Sequence, residues 1–208
     1  MNREEKKRYH KLMQLELQHR LRNCMASVRA IAQRTYESSQ TLDEFFEAFD
    51  ARLRAWGLGQ ALIAKSGDRG GELVDIFADQ LQMLGGNLQA QFSIEGPAVT
   101  LEEKAAEILA LAIHELAINA IRYGALSDDA GRVEVRWFID GDDLMFEWRE
   151  RCAAPVASSE ASGFGRELLE QGLDYTLGGT STFEFTPEGV HFRSAIPFAG
   201  NIKSLGGN

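Results

Sequence analysis

The stretch AIHELAINAIRYGALS, Ala112–Ser127, contains the second half of a run, Leu101 to Gly124, that holds no proline and no glycine before its last residue. At 100° per residue, Leu109, Ala112, Ile113, Leu116, Ala120 and Tyr123 fall on one stripe, so the run reads as a long helix laid against a core. Glu115, Asn119 and Arg122 gather within roughly 60° on another side of that helix. An amide oxygen beside a carboxylate suits a hard cation such as Mg²⁺, and an arginine one turn on can reach phosphates bound with it. An ordinary solvated helix face would carry the same three residues. His114 lies outside the arc and reads as a structural histidine.

Working outward, the rhythm changes from helical to alternating. Arg132 to Ile139 and Leu144 to Trp148 alternate as strands around a hairpin turn at Asp140 to Asp143. Thr182 to Phe185 and Val190 to Ile196 pair around a Pro-Glu-Gly turn at 187–189. Glu72 to Leu84 and Gly165 to Leu177 read as helices, and Leu88 to Ile94 as a strand. Helices and a mostly antiparallel sheet in this order predict an α+β fold whose larger part is a two-layer α/β sandwich. The closing GNIKSLGGN, Gly200–Asn208, reads as a frayed tail.

The N-terminal third is different in kind. From Arg3 to Tyr36 there is no glycine or proline, and one long helix is expected, with Met13, Leu17, Leu21, Cys24, Val28, Ile31 and Ala32 as its seam. His19, in ELQHRLRN (Glu16–Asn23), points nearly opposite that seam. Ser38, Ser39 and Gln40 form a short connector, and Thr41 with Glu44 makes a capping box that opens a second helix bearing Leu42, Phe45, Phe46, Phe49, Leu53 and Trp56. So short a connection makes the pair an antiparallel hairpin. Two helices bury such stripes only against something else, either a second copy in a four-helix bundle or the rest of the chain. KSGDRGG (Lys65–Gly71) is the best compositional boundary, giving a helical domain at 1–66, an α/β domain at 67–200 and a tail at 201–208.

Composition narrows the function classes. The 208 residues are 44% hydrophobic and 25% charged, ordinary for a globular protein. A net charge of -9 argues against nucleic acid as a partner, because phosphate-tracking proteins need basic surface. Cys24 and Cys152 stand far apart without Cys-x-x-Cys or Cys/His spacing, which argues against a disulfide framework or a zinc site and fits a reducing compartment. No apolar run has the length of a membrane span and MNREEKKRYHK is no signal peptide, so a cytoplasmic location is expected.

One further motif is GFG at Gly163–Gly165, directly before a helix beginning Arg166-Glu167, where glycines would let backbone N–H groups approach a phosphate. With ELQHRLRN near the start, HELAINAIRYGALS some ninety residues on, then FEWRE, then GFGRELLE, the chain resembles the HWE family of sensor histidine kinases. These are two-component signalling enzymes of the GHKL ATPase superfamily. The resemblance runs from about Leu15 to Phe198, with His114 matching the family's asparagine-box histidine and Trp148 with Glu150 its WxE.

By that resemblance the helical hairpin is the dimerisation and phosphoacceptor domain, and the sandwich is a catalytic domain that binds ATP and Mg²⁺. His19 stands as the phosphoacceptor of an HRxxN motif, flanked by Arg20 and Asn23. Asn119 would hold Mg²⁺, and Glu115 would assist the metal or take the imidazole proton. Arg122 would reach the phosphates. Glu150 would read the adenine amino group, and Gly163 and Gly165 would contact the phosphates. The phosphoryl group would pass to an aspartate of a response-regulator receiver domain, for whose docking Leu12 and Leu15, on the His19 side, are suited. A homodimer is expected. Fewer than twenty residues precede His19, so input is expected from a separate sensory protein. Relatives follow WxE with one residue and a pair of glycines; here Arg151, Cys152 and Ala153 place side chains where backbone would approach the nucleotide. That departure supports an alternative, a histidine phosphotransfer protein with a degenerate ATP-binding domain. A third reading is a GHKL module acting as a scaffold without phosphorylation.

Overall fold

In the computed structural model, residues 3–66, 71–85, 88–153 and 168–206 are described. The chain divides into two compact units, Met1–Leu53 and Arg54–Asn208.

The first unit is a pair of helices, α1 (Arg3–Ser38) and the first part of α2 (Leu42–Ser66). The absence of glycine and proline lets α1 run for 36 residues. Hydroxyls cluster at its end: Thr35 Oγ1 donates back to the Ile31 carbonyl at 2.6 Å, and Ser38 and Ser39 donate to the Thr35 carbonyl at 3.1 and 2.7 Å, so a last-turn carbonyl without a helical partner is satisfied. The expected capping box opens α2, with the Glu44 N–H donating to Thr41 Oγ1 at 3.2 Å while Glu44 Oε2 accepts the N–H groups of Gln40 and Thr41. The helices are antiparallel neighbours through Arg52, which donates to Thr35 Oγ1 at 3.2 Å, and through the Tyr36 and Phe45 rings at 6.5 Å. Ile31 and Thr35 are buried near the turn, while Met13, Leu17, Leu21 and Met25, farther from it along α1, are exposed.

The second unit is a two-layer α/β structure. It contains α3 (Leu73–Leu84), α4 (Glu103–Tyr123) and a short α5 (Leu173–Leu177). Its strands, in chain order, are β1 (Gly71–Glu72), β2 (Phe92–Glu95), β3 (Val99–Leu101), β4 (Arg132–Asp140), β5 (Asp143–Arg151), β6 (Thr180–Thr186), β7 (Gly189–Pro197) and β8 (Ile202–Leu205). The main sheet runs β2-β4-β5-β7-β6, parallel between β2 and β4 and antiparallel elsewhere. Strand alternation decides which side chains face the helices: Val133, Val135 and Trp137 on β4, Leu144, Phe146, Trp148 and Glu150 on β5, and Phe192, Ser194 and Ile196 on β7 are all buried. The aligned register stacks them in rows, Val135 opposite Trp148 and Trp148 opposite Phe192. The opposite face carries two ion pairs, Arg136 with Glu95 and Arg193 with Glu147. The β4–β5 turn needs only Gly141 and Asp142 between the paired Asp140 and Asp143, and Gly141 takes φ 61, which a glycine adopts without strain.

Several expected boundaries shift. Leu88–Gln91 forms a 3-10 turn instead of strand, because Gln91 turns its amide to the carbonyls of Asp128 and Gly131. The helix expected at 165–177 is a wide π turn, Leu168–Gly172, followed by α5, and its first residues lie outside the described ones. The largest correction concerns the C-terminal stretch. Residues 200–206 are not frayed: β8 pairs with β3, which pairs with β1, in a second three-stranded sheet. Asn201 is buried and donates from Nδ2 to the carbonyls of Leu177 and Pro197, both at 2.8 Å, while its own carbonyl accepts the Glu102 N–H at 2.8 Å just before α4. One polar side chain thereby ties the end of α5, the end of β7 and β8 together.

Asn201→Ala strands two buried carbonyls and is expected to lower the unfolding free energy by about 2–3 kcal/mol. Urea denaturation measures it. A change within about 0.5 kcal/mol, the range of surface substitutions, would show that this end is not part of the fold.

Candidate functional site

Two sets of residues carry the candidate chemistry, one on each unit. On α1, His19 is exposed, and the Asn23 amide nitrogen lies 3.5 Å from its Nδ1, one helical turn away. Arg20 is exposed beside it. A helix without breaks holds this pair rigidly, and exposure leaves the ring open to partners.

On the second unit, α4 is the organising element. Every residue from Leu109 to Ala117 is buried, because the helix lies on the sheet and contacts α3 and α5 as well. This corrects the expected arc. Glu115, placed off the core by a single-stripe reading, is 4% exposed, and Tyr123, placed on the stripe, is 62% exposed. Asn119 is half-buried and Arg122 exposed, so the three rise from the core toward the surface along successive turns. His114 is buried, as a structural histidine would be.

Beyond α4 the chain makes a 3-10 turn at Ala125–Ser127, and here Glu150 reaches it from β5. Glu150 is 2% exposed; its Oε2 accepts the Ala125 N–H at 2.9 Å and its Oε1 accepts the Trp148 indole N–H at 3.3 Å. Gly124 lies so close that a Cβ there would overlap Glu150 Oε2, and a Cβ on Gly189 would meet the Glu150 Cβ at 2.9 Å. Burial pushes the carboxyl up from its ordinary 4.5, opposed by the Ala125 and Trp148 hydrogen bonds. Each carboxylate oxygen has a further lone pair beyond the bond it accepts.

The three residues after Glu150 separate by strand alternation. Arg151 points to the opposite face of the sheet, where its guanidinium takes Glu134 with both nitrogens, at 2.8 and 3.4 Å. Its side chain does not intrude toward α4, contrary to expectation. Cys152 is half-buried and packs against the core, its N–H donating to the Glu188 carbonyl at 2.7 Å. Loss of water and the charge of Glu150 both raise its thiol, which keeps it protonated. Gly163 and Gly165 lie outside the described residues. Sequence reasoning missed Glu107 on α4, half-buried and bonded by Trp56; its signal was an acid opposite a Trp-bearing stripe, which no motif flags.

Comparison with known proteins agrees with this architecture. Residues 16–98 match the model of the HWE histidine kinase family. The chain is 29% identical over 183 residues to a blue-light-activated histidine kinase of Brucella ovis, covering 86% of this chain and 37% of the relative. It is 30% identical over 188 residues to blue-light-activated histidine kinase 1 of Erythrobacter litoralis, covering 88% of this chain and 52% of the relative. The chain thus spans about half or less of the length of these relatives. Among solved structures, a blue-light-activated histidine kinase of Erythrobacter litoralis superposes with a TM-score of 0.63 at 17% identity, over 88% of this chain and 58% of that one. A structure of the histidine kinase domain from that species gives 0.57 at 13% identity, over 84% and 95%.

Two measurements test the Glu150 contact. Gly124→Ala forces the buried carboxylate off the Ala125 N–H and should cost about 2 kcal/mol or more in urea unfolding. For pH, the folded carboxyl titrates above 4.5, so the folded state binds more protons than the unfolded one. Its stabilising contribution is complete below 4.5 and falls as pH rises through the folded value. The stability of wild type relative to Glu150→Gln should therefore decline with rising pH across that window; a difference that stays flat, or grows, would show a carboxylate that is not desolvated. The ordered motifs, the α/β layers and the matched family model place the chain in the HWE family of histidine kinases.

Proposed function

We propose that the chain is a protein-histidine kinase that phosphorylates His19 from ATP and passes the phosphoryl group to an aspartate of a response-regulator receiver domain. The observation that carries it is the exposed His19–Asn23 pair on an unbroken helix, in one chain with a GHKL-type sandwich whose α4 brings Asn119 and Arg122 to the surface. With the Asn23 amide oxygen turned to Nδ1, that oxygen accepts the Nδ1 proton and the lone pair is left on Nε2. Nε2 then attacks the γ-phosphorus in line. The N–P bond forms, the bond from the γ-phosphorus to the β,γ-bridging oxygen breaks, ADP leaves with that oxygen, and the Nδ1 proton passes to a base.

The α4 donors fit a nucleotide with its metal. Asn119 offers an amide oxygen of the kind Mg²⁺ takes, Glu115 lies one turn earlier to support the metal or receive the proton, and Arg122 reaches phosphate oxygens. Bound there, Mg²⁺ would neutralise charge on the β- and γ-phosphates. Glu150 has lone pairs left to accept the adenine amino group, and Gly163 and Gly165 would supply backbone N–H groups. Residues 1–66 would then serve dimerisation and phosphotransfer, and 67–200 catalysis. Exposed Met13, Leu17, Leu21 and Met25 form the seam that a second copy would cover, and Leu12 and Leu15 the patch a receiver would use. Among the described residues no helix is long and apolar enough to cross a membrane.

A second reading has a specific observation behind it: Cys152 sets a half-buried side chain beside Glu150 where relatives have glycine. In that case the ATP-binding domain is degenerate and His19 only relays phosphate between receivers. Labelled ATP with Mg²⁺ separates the two. Wild type should acquire acid-labile label, His19→Ala none while keeping nucleotide affinity near wild type, and Asn119→Ala should lose Mg²⁺-dependent nucleotide binding with its thermal unfolding little changed. Wild type that takes label from a phosphorylated receiver but never from ATP would replace the kinase reading with the relay.

A further inference from the structure

The direction in which a buried carboxylate offers its lone pairs is set by what it is bonded to. Rotation about the last bond of a glutamate side chain is soft, so a carboxylate held at one oxygen alone is free to turn. Glu150 is held at both, by the Ala125 N–H on Oε2 and the Trp148 indole N–H on Oε1. Those two donors therefore decide where the remaining lone pairs point.

Ala125 is fixed through a turn. Residues 128–131 close on themselves, with the Gly131 N–H donating to the Asp128 carbonyl at 3.2 Å and the Ala130 N–H to Asp128 Oδ1 at 2.7 Å. Gly131 stands so close behind Ala125 that a Cβ on it would overlap the Ala125 carbonyl oxygen, and a single Cα separates that carbonyl from the N–H that Glu150 accepts. Gln91 attaches this turn to the start of β2: its Nε2 donates to the Asp128 carbonyl at 2.9 Å and to the Gly131 carbonyl at 3.2 Å. Reversing the amide would set its oxygen against both carbonyls, so its N–H groups face them. Arg132 also bonds the Asp129 and Gly131 carbonyls, at 2.9 and 2.7 Å, but from the turn's own end.

Trp148 is fixed from the next residue along. Phe92 opens β2 in register with Val133, and its ring meets the Trp148 ring edge-on, with centroids 5.6 Å apart and planes at 71°. Trp148 has no exposed surface, so a swing of its indole disturbs close packing, Phe92 included. Gln91 and Phe92, consecutive in the chain, thus each stand behind one of the two donors.

We propose that Gln91 and Phe92 are positioning residues for base recognition, fixing the two donors that aim the Glu150 carboxylate at a purine. The inference rests on the reading of Glu150 as the group that accepts the adenine amino hydrogens. An acceptor aimed at the 6-position takes an N–H of adenine and is repelled by the carbonyl oxygen of guanine, so its aim is what separates the two bases. Neither Gln91 nor Phe92 touches the nucleotide in this scheme.

Hydrogen exchange resolved by residue on the full chain tests the positioning without nucleotide. Gln91→Met keeps the side chain's length and removes its donors. It should speed exchange of the Ala125 amide about threefold to tenfold, roughly the worth of one hydrogen bond, and leave the Trp148 indole N–H unmoved. Phe92→Leu should do the reverse, and amides in the middle of α4 should hold in both. Binding then tests the role, with ATP compared against ribose 5-triphosphate, which keeps the phosphates and lacks the base. Each variant should bind ATP about threefold to tenfold more weakly than wild type and ribose 5-triphosphate equally well, a split that a general loss of stability does not produce. Exchange at Ala125 and Trp148 unmoved by either substitution, or affinities that fall together or not at all, would overturn the proposal. Wild type that binds ribose 5-triphosphate as tightly as ATP would instead count against Glu150 as reader of the base, and the exchange pattern would still decide whether Gln91 and Phe92 hold its two donors.

Discussion

The second unit depends on a carboxylate that folding has taken out of water. Glu150 holds the turn after α4 through the Ala125 N–H and braces its own strand through the Trp148 indole. Two glycines exist around it for reasons of space: Gly124, where a Cβ would overlap the carboxylate, and Gly189, where a Cβ would press on the Glu150 Cβ and carbonyl. The desolvation of such a group is costly, and the raised carboxyl records that cost. In return the end of α4 is fixed against β5. Asn119 and Arg122 are carried on that same end, so the groups proposed to meet metal and phosphate take their position from a residue proposed to meet adenine. The two halves of the proposed nucleotide site would in this way be coupled before any nucleotide arrives.

Much of this was legible in the sequence because it follows from short periods. On β5, Phe146, Trp148 and Glu150 are separated by two, so a reader who buries Trp148 must also bury Glu150; the same period sends Arg151 to the other face, which the expectation of its side chain beside the nucleotide overlooked. Thr41 and Glu44 announced the start of α2, and Asp140 to Asp143 the β4–β5 hairpin, each by local chemistry. The misplacements come from longer range. A helical wheel assumes one buried face, whereas α4 is covered by the sheet and by flanking helices, which draws Glu115 inward and leaves the last turn, with Tyr123, in solvent. The tail carries too few apolar residues to read as a strand. It becomes one because β3, about a hundred residues earlier, presents an edge to Ile202–Leu205. That pairing has no local signal.

The first unit shows the opposite balance. Its closed end is fully provided for: Thr35 satisfies a carbonyl, receives Arg52, and its own carbonyl takes two serine hydroxyls. Toward His19 the seam residues Met13, Leu17 and Leu21 are each more than half exposed. Uncovering several such side chains costs about 1.5–3 kcal/mol apiece relative to burial, so a helix pair with this seam is a strong candidate for pairing with a second copy. On the proposed function, the histidine sits on the half that a second copy would cover, which is where a residue that has to meet two different reactants would be best placed.

The choice between making phosphohistidine and merely relaying it comes down to two positions. Arg151 is removed from consideration by its two-nitrogen grip on Glu134, on the face of the sheet away from α4. Ala153 adds one methyl group. Cys152 adds a thiol beside Glu150, and that thiol is kept neutral by burial and by the carboxylate next to it. A neutral, polarizable side chain that already packs on the core demands far less of an incoming purine than a charged or branched one would. What it removes is the backbone freedom of glycine, and here that freedom has already been given up: the Cys152 N–H is paired with the Glu188 carbonyl at 2.7 Å, as the continuation of a strand. The segment after WxE is thus ordered by the sheet before any ligand arrives, and a nucleotide would meet a preformed edge rather than a glycine loop closing over it.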